Sequence, residues 1–354
     1  MIFSRFTRQK TECGQKLQVI WVIGYRGGLG AELSALFLKM WIPLVVSGRD
    51  VDITNIKSLG AFAKSQEKID WIVNCAAYKA ADEANYDSDS CRAVNSGGSA
   101  NVAKIAKKIH AKLIHISADS VFSGKGICGG EPRGLRPYQE SDETDPAGIF
   151  GITKRDGEQA VRENNRASYI IRTSWLYGKH NGNFVNTMLR LMKEQDSVSV
   201  DNSRRSSPTW TYSLALAIAA LIDVSDGGKH IPYGIYHYTD DGDITQLEFA
   251  REIHALGREL NLLTRDCAIN AGAGAELSAG VVQPGYFVLD KKKITSALRI
   301  KIRPWDSSLR SYLGSLSGEQ DTQNIEEGSG DNLEQDKKTF LSSIEEKLEN
   351  IRSL

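Results

Sequence analysis

The chain has 354 residues, with 44 Lys+Arg balanced by 44 Asp+Glu. That balance gives no global field favouring a nucleic acid or an anionic membrane, and no apolar run reaches the ~20 residues needed to span a bilayer. Five dispersed cysteines without CxxC spacing fit reduced thiols in a cytoplasm better than a disulfide framework or a zinc site. Residues 1–16 are basic and polar without an apolar core, and read as a disordered leader or as sequence upstream of a later start.

Leu17–Ile23 is a short apolar run of strand type. It enters Gly24-Tyr25-Arg26-Gly27-Gly28-Leu29-Gly30, and an apolar helical pattern follows from Ala31 to Met40. Strand, glycine turn and helix open a dinucleotide-binding βαβ unit. Glycines let the backbone approach a diphosphate, and the helix start supplies N–H groups and positive dipole. A second strand, Leu44–Ser47, ends in Gly48-Arg49-Asp50, where an adenosine ribose is expected. An acid there suits a free 2′-hydroxyl and an arginine a 2′-phosphate; Arg49 tilts the reading to NADPH over NADH.

Ile69–Cys75 is the next strand, followed by small residues from Ala76 that leave room for a ligand at the carboxyl edge of a parallel sheet. A helix is predicted over Cys91–Lys108, with Asn95 facing the same region, then a strand over Leu113–Ile116. Residues 123–148 form a loop long enough to suggest that it covers a site. Ile149-Phe150-Gly151-Ile152-Thr153-Lys154 opens a helix to about residue 163, with Phe150 and Lys154 on one face. The strand Ser168–Arg172 completes an α/β pattern, a Rossmann-type doubly wound parallel sheet over residues 17–173.

Residues 174–313 read as a small substrate-binding cap, with some chain returning to the Rossmann core. Its predicted elements are helices from Asn183-Phe184, over Thr211–Val224 and over Gln246–Glu259, and strands over Ser197–Val200 and Gly234–Tyr238. Residues 314–335 are Gly/Ser/Asp/Glu/Gln-rich and read as a flexible linker. Residues 336–354 carry Phe340, Ile344, Leu348, Ile351 and Leu354 on one stripe, an amphipathic helix suited to docking on its own chain, on a second copy or on a partner protein.

Taken together, residues 19–313 resemble the dTDP-4-dehydrorhamnose reductases, extended short-chain dehydrogenase/reductases of nucleotide-sugar metabolism. The resemblance rests on GYRGGLG at 24–30, DIT at 52–54, NCAAYKAADEA at 74–84, VN at 94–95 and SADSVF at 117–122. It continues with FGITKRDGE at 150–158, RTSWLYG at 172–178, NF at 183–184 and SPT at 207–209. It implies NADPH- or NADH-dependent reduction of the C4 ketone of a dTDP-6-deoxy-4-ketohexose to dTDP-L-rhamnose, for cell-surface polysaccharide. The family's proton comes from a Tyr in Tyr-Gly-x-x-Lys, and a Thr hydroxyl bonds the reacting oxygen.

Carried over residue by residue, Lys154 is kept, Phe150 stands at the acid Tyr and Ala118 at the Thr. Ser117, Ser120, Thr153 and water are then the substitute acids. The implied cofactor residues are Gly24, Gly27, Gly28, Leu29, Gly30, Arg49, Asp52, Ile53, Cys75, Ala76, Ala77, Tyr78, Asn95 and Lys154. The implied substrate residues are Asp119, Val121, Phe122, Trp175, Asn183, Arg204, Arg205, Pro208 and Gln283. Lys79 stands where the family usually has Thr, and Gln283 where it has Arg. No metal ligand set and no nucleic-acid partner are expected, and a homodimer is open. The two lost hydroxyls imply slowed turnover; the alternative is an inactive NADP-binding protein acting as a regulatory or interaction subunit.

Overall fold

The structure, a computed structural model, describes residues 18–78, 87–129, 134–228, 230–272 and 285–318. The predicted leader, the amphipathic tail helix, Lys79 and Gln283 lie outside the described residues. In chain order the elements are β1 (Ile20–Ile23), α1 (Gly28–Lys39), β2 (Leu44–Ser47), α2 (Ile56–Lys64) and β3 (Trp71–Asn74). Next come α3 (Ser88–Arg92), a π-turn (Ala93–Gly98), α4 (Ser99–Lys108), β4 (Lys112–Ala118), and the short strands β5 (Ile127–Cys128) and β6 (Leu135–Arg136). Then follow α5 (Ile149–Asn164), β7 (Ser168–Thr173), β8 (Leu176–Tyr177), α6 (Phe184–Glu194) and β9 (Ser197–Asp201). The chain continues with β10 (Arg205–Ser206), β11 (Thr209–Trp210), α7 (Thr211–Asp226), β12 (Gly234–His237), β13 (Ile244–Thr245) and α8 (Gln246–Glu259). The described elements end with β14 (Ala268–Gly272), α9 (Lys292–Leu298) and α10 (Trp305–Ser317).

Six strands form one parallel sheet in the order β12-β7-β4-β3-β1-β2. The order reverses between β1 and β3, so a crevice opens beyond their carboxyl ends, where open α/β sheets bind ligands. Alternation along each strand feeds two cores. Ile20 and Val22 pack with Leu33 and Phe37 of α1 and with α7; Trp21 and Ile23 pack with Leu59 of α2, Val102 of α4 and Val161 of α5.

Two elements of the 174–313 stretch lie in the sheet layers. α7 is buried along most of its length against α1, and β12 pairs with β7 as an edge strand. The reason is composition: Leu214-Ala-Leu-Ala-Ile-Ala-Ala-Leu-Ile222 is apolar on nearly every side, and such a helix must be covered. The cap proper packs Met188 and Met192 of α6, Ile253 of α8, and Leu309 and Tyr312 of α10 around the β9–β14 pair. α10 also runs on to Ser317, so the expected linker loses its first residues to a helix.

The predicted single helix over 91–108 contains the π-turn at Ala93–Gly98, a feature that often marks functional sites. The described part of the 123–148 loop does not roof the crevice. Tyr138 stacks on Phe122 at 4.1 Å and its N–H donates to Val288 O at 2.8 Å, so this loop folds onto the segment near residue 288.

Candidate active site

The glycine turn follows directly from β1. Gly24 has φ +81°, and a Cβ there would lie 2.8 Å from Ala76 N; a Cβ on Gly30 would lie 2.3 Å from Gly24 O. Only glycine lets the turn, the β3 end and the α1 start close on one another. Gly27 ends the turn with no side-chain cap, the first turn of α1 carries no acid, and the first bond back into the helix is Ala31 N–H to Gly27 O at 2.8 Å. Such a helix start fits a diphosphate.

Two cavities meet here. The outer, about 810 Å³, is bordered by Gly24, Gly27, Arg26, Arg49, Asp52, Ile53, Ala76 and Tyr78. The inner, about 490 Å³, is bordered by Gly27, Gly28, Leu29, Gly30, Ala118, Phe150, Lys154, Trp175 and Asn183. Gly27, Cys75, Ala77 and Asn181 border both, making one trough from the β2 end across the glycine turn to the β4 end. Asn181 straps the turn, its Nδ2 donating to Arg26 O at 2.6 Å. At the outer end Asp52 Oδ1 is taken by Thr54 and Asp50 Oδ1 by Gly48 N–H, while Arg49 and Arg26 border the cavity exposed, Arg26 donating from Nε to Tyr25 Oη at 3.0 Å.

At the inner end, Gly148 starts α5, and a Cβ on Gly151 would strike Ser120 O at 2.1 Å, so the first turn sits tight against the β4 end. This fixes the Phe150 ring at the cavity wall. Lys154 lies one turn on, is buried, and donates from Nζ to Ile116 O at 2.7 Å. Burial pushes its pKa down to about 8, against the opposing pull of Glu158. Beneath it, Glu158 accepts from Ser117 Oγ at 2.5 Å and forms a two-pronged pair with Arg172, at 2.9 and 2.7 Å. Both ions of that pair are buried, so each depends on the other for compensation.

This geometry corrects several expectations. Ser117 is not a free proton donor, because its hydroxyl is given to Glu158. Thr153 is fully buried and donates to Phe150 O at 2.9 Å, and Ser120 does not border the inner cavity. Asn95 is buried and acts at one remove: it accepts from Tyr78 N–H at 2.8 Å and donates to Thr153 Oγ1 at 3.1 Å, tying the β3 loop to α5. Val121 and Phe122 are fully buried in a small core with Tyr138 and Leu289, because the short helical turn after β4 rotates them inward. Arg205 is spent on Asp243 at 2.7 Å and Glu248 at 3.1 Å, and Pro208 is buried off the cavity; Arg204 lies over the Phe287 ring at 4.6 Å, with its charge acting on Asp119.

Asp119 does border the inner cavity, holding Ser174 Oγ at 2.5 Å and Ser206 Oγ at 3.3 Å, and burial raises its pKa. Trp175 borders it through a left-handed backbone, φ +42°, a strain seen mostly where surroundings impose it. Asn183 caps α6, accepting from Asn186 N–H at 3.1 Å. Sequence reasoning missed Thr173, Tyr177, His180, Asn181 and Thr211 as wall residues. The period-two alternation of the strand ending at residue 173 is the signal that would have found Thr173.

The glycine trough, the Lys154 wall and the cap agree with the comparisons. Residues 18–317 match the RmlD substrate binding domain family. This chain belongs to that family. It is 35% identical over 300 residues to dTDP-4-dehydrorhamnose reductase of Streptomyces griseus, covering 84% of this chain and 93% of the relative. It is 34% identical to the spore coat polysaccharide biosynthesis protein SpsK of Bacillus subtilis, covering 82% and 95%. The solved dTDP-4-dehydrorhamnose reductase of Bacillus anthracis in complex with NADP superposes with a TM-score of 0.75 at 29% identity, covering 84% and 99%. That of Clostridium acetobutylicum superposes with a TM-score of 0.74 at 30% identity, again covering 84% and 99%.

Proposed function

We propose that this protein is an NADPH-dependent reductase of the C4 ketone of a dTDP-6-deoxy-4-ketohexose, forming the corresponding dTDP-6-deoxyhexose, dTDP-L-rhamnose in the first instance. The carrying observation is the continuous trough: a diphosphate-accepting glycine turn opens directly into a cavity walled by Ala118, Phe150 and Lys154. The residues fit the cofactor. Gly24, Gly27 and Gly30 bring backbone to the diphosphate, while Arg49 and Arg26 suit the ribose 2′-phosphate of NADPH. Bound there, the nicotinamide supplies a hydride to the ketone carbon.

The chain supplies the proton that the resulting alkoxide needs. With phenylalanine at position 150 and the hydroxyls of Ser117 and Thr153 committed elsewhere, the Lys154 ammonium is the proton source at this wall. Its pKa of about 8 suits transfer near neutral pH better than an exposed lysine would. One proton leaves Nζ for the alkoxide oxygen, and the amine regains a proton from solvent. Glu158, paired with Arg172, favours the ammonium.

The test is steady-state turnover. Purified protein is given NADPH and dTDP-4-keto-6-deoxyhexose, and NADPH loss and the sugar nucleotide product are followed. One product per NADPH supports the proposal; NADPH binding without consumption defeats it.

A further inference from the structure

The inner cavity has lost one hydroxyl at Ala118, yet it retains another whose position has no structural explanation. Thr173 ends β7, is 4% exposed, and its Oγ1 is buried with no hydrogen-bond partner. A buried hydroxyl is normally satisfied. In the parallel register Thr173 stands directly opposite Ala118, one position beyond the Ser117–Arg172 pair. Ser117 and Arg172 both reach Glu158 on α5. Side chains alternate along a strand, so Ala118 and Thr173 project together from the opposite face. Two residues back, Ile116 and Ile171 pack in the core that α1 and α7 share, which fixes the same parity. Beyond the last turn of that core lies the inner cavity, which both Ala118 and Thr173 border.

Resting on the reductase reading, we infer that Thr173 is a catalytic residue whose hydroxyl donates a hydrogen bond to the reacting C4 oxygen, beside the position where Ala118 offers none. Neighbouring parallel strands lie ~4.8 Å apart, so Thr173 stands beside Ala118 at the same cavity wall. The donor strengthens its bond as the ketone oxygen gains charge, and stabilises the transition state more than the ketone. Among the described residues, the other buried unpartnered hydroxyl bordering the cavity, Tyr177 Oη, belongs to a side chain packed among Phe249 and Tyr312 in the cap core, not opposite Ala118.

The experiment compares Thr173→Val, Thr173→Ala and Thr173→Ser in the full chain, in both the wild-type and Phe150→Tyr backgrounds, measuring kcat, KM, NADPH dissociation constant and melting temperature. Valine and alanine are expected to lower kcat on the order of 10²-fold, while serine keeps it within a few-fold. NADPH affinity should stay unchanged, and the valine variant should melt no lower than wild type, because it loses only an unpartnered hydroxyl. Adding Ala118→Thr to Thr173→Val should restore most of the rate. A valine variant with kcat within twofold of its parent overturns the inference. So does a rate loss that serine shares, or one that tracks weakened NADPH binding. Absence of turnover in both parent backgrounds overturns the reductase reading itself, and this inference with it.

Discussion

Replacing Phe150 with tyrosine changes one atom at the wall where the chemistry occurs. The ring already borders the inner cavity, and its backbone is pinned by Gly151 against Ser120 O. The new phenol therefore stands at the cavity wall, one turn from Lys154 on the same face of α5. The Lys154 ammonium favours the phenolate and so makes the phenol a better acid. A positioned general acid contributes ~10²–10⁴ in rate, which is about 3–5 kcal/mol of barrier. Because Lys154 already serves as the acid in the parent, Phe150→Tyr should raise kcat by only part of that factor, on the order of 10-fold, with little change in KM, read from NADPH consumption at saturating sugar nucleotide. The pH profile should change as well. In the parent the acid is Lys154, so kcat holds below about pH 8 and falls as pH rises through that value. With the phenol present, the alkaline limb should report the Tyr–Lys pair rather than Lys154 alone. An unchanged kcat and an unchanged alkaline limb would refute the assignment of this wall as the proton-delivery site.

Lys154→Met should abolish turnover while leaving the melting temperature equal or higher at pH 7. The drop from 10.5 to about 8 means the folded state pays ~3 kcal/mol to hold the ammonium at any pH below 8, relieved only between 8 and 10.5. Loss of the bond to Ile116 O offsets part of that gain; a large fall in melting temperature would contradict the sign. Gly24→Ala should remove the NADPH-induced rise in melting temperature, since φ +81° and the 2.8 Å approach to Ala76 N exclude a methyl group. An alanine variant that still responds to NADPH would show that the turn is not the diphosphate cradle.

The β1–turn–α1 unit was legible in the sequence because apolar runs, glycine spacing and helical period coincide over twenty residues. β2 and α8 fall at the expected boundaries for the same reason. The Lys154 helix was legible from its motif. What the sequence hid was orientation at short range. Ser117 and Ala118 are adjacent, yet one turns to Glu158 and the other to the cavity, and that choice depends on strand parity set by the whole sheet. Arg204 and Arg205 were implied as substrate residues. Their fates were decided by Phe287, Asp243 and Glu248, residues distant in the chain. α7 and β12 follow cap-forming chain, but burial demands returned them to the sheet layers. Val121 and Phe122 lay within a recognised motif whose helical turn points them away from the cavity.

The proposed reaction is hydride transfer to C4 of a dTDP-linked ketosugar at the Ala118–Phe150–Lys154 wall. The direct measurement is a reaction with NADPH deuterated at the transferable position, followed by mass and NMR analysis of the sugar nucleotide. The account predicts a product one mass unit heavier, with deuterium on C4, formed slowly by the parent and faster by Phe150→Tyr. A sugar nucleotide recovered unreduced and unlabelled from both proteins, under conditions where each binds NADPH, would contradict it.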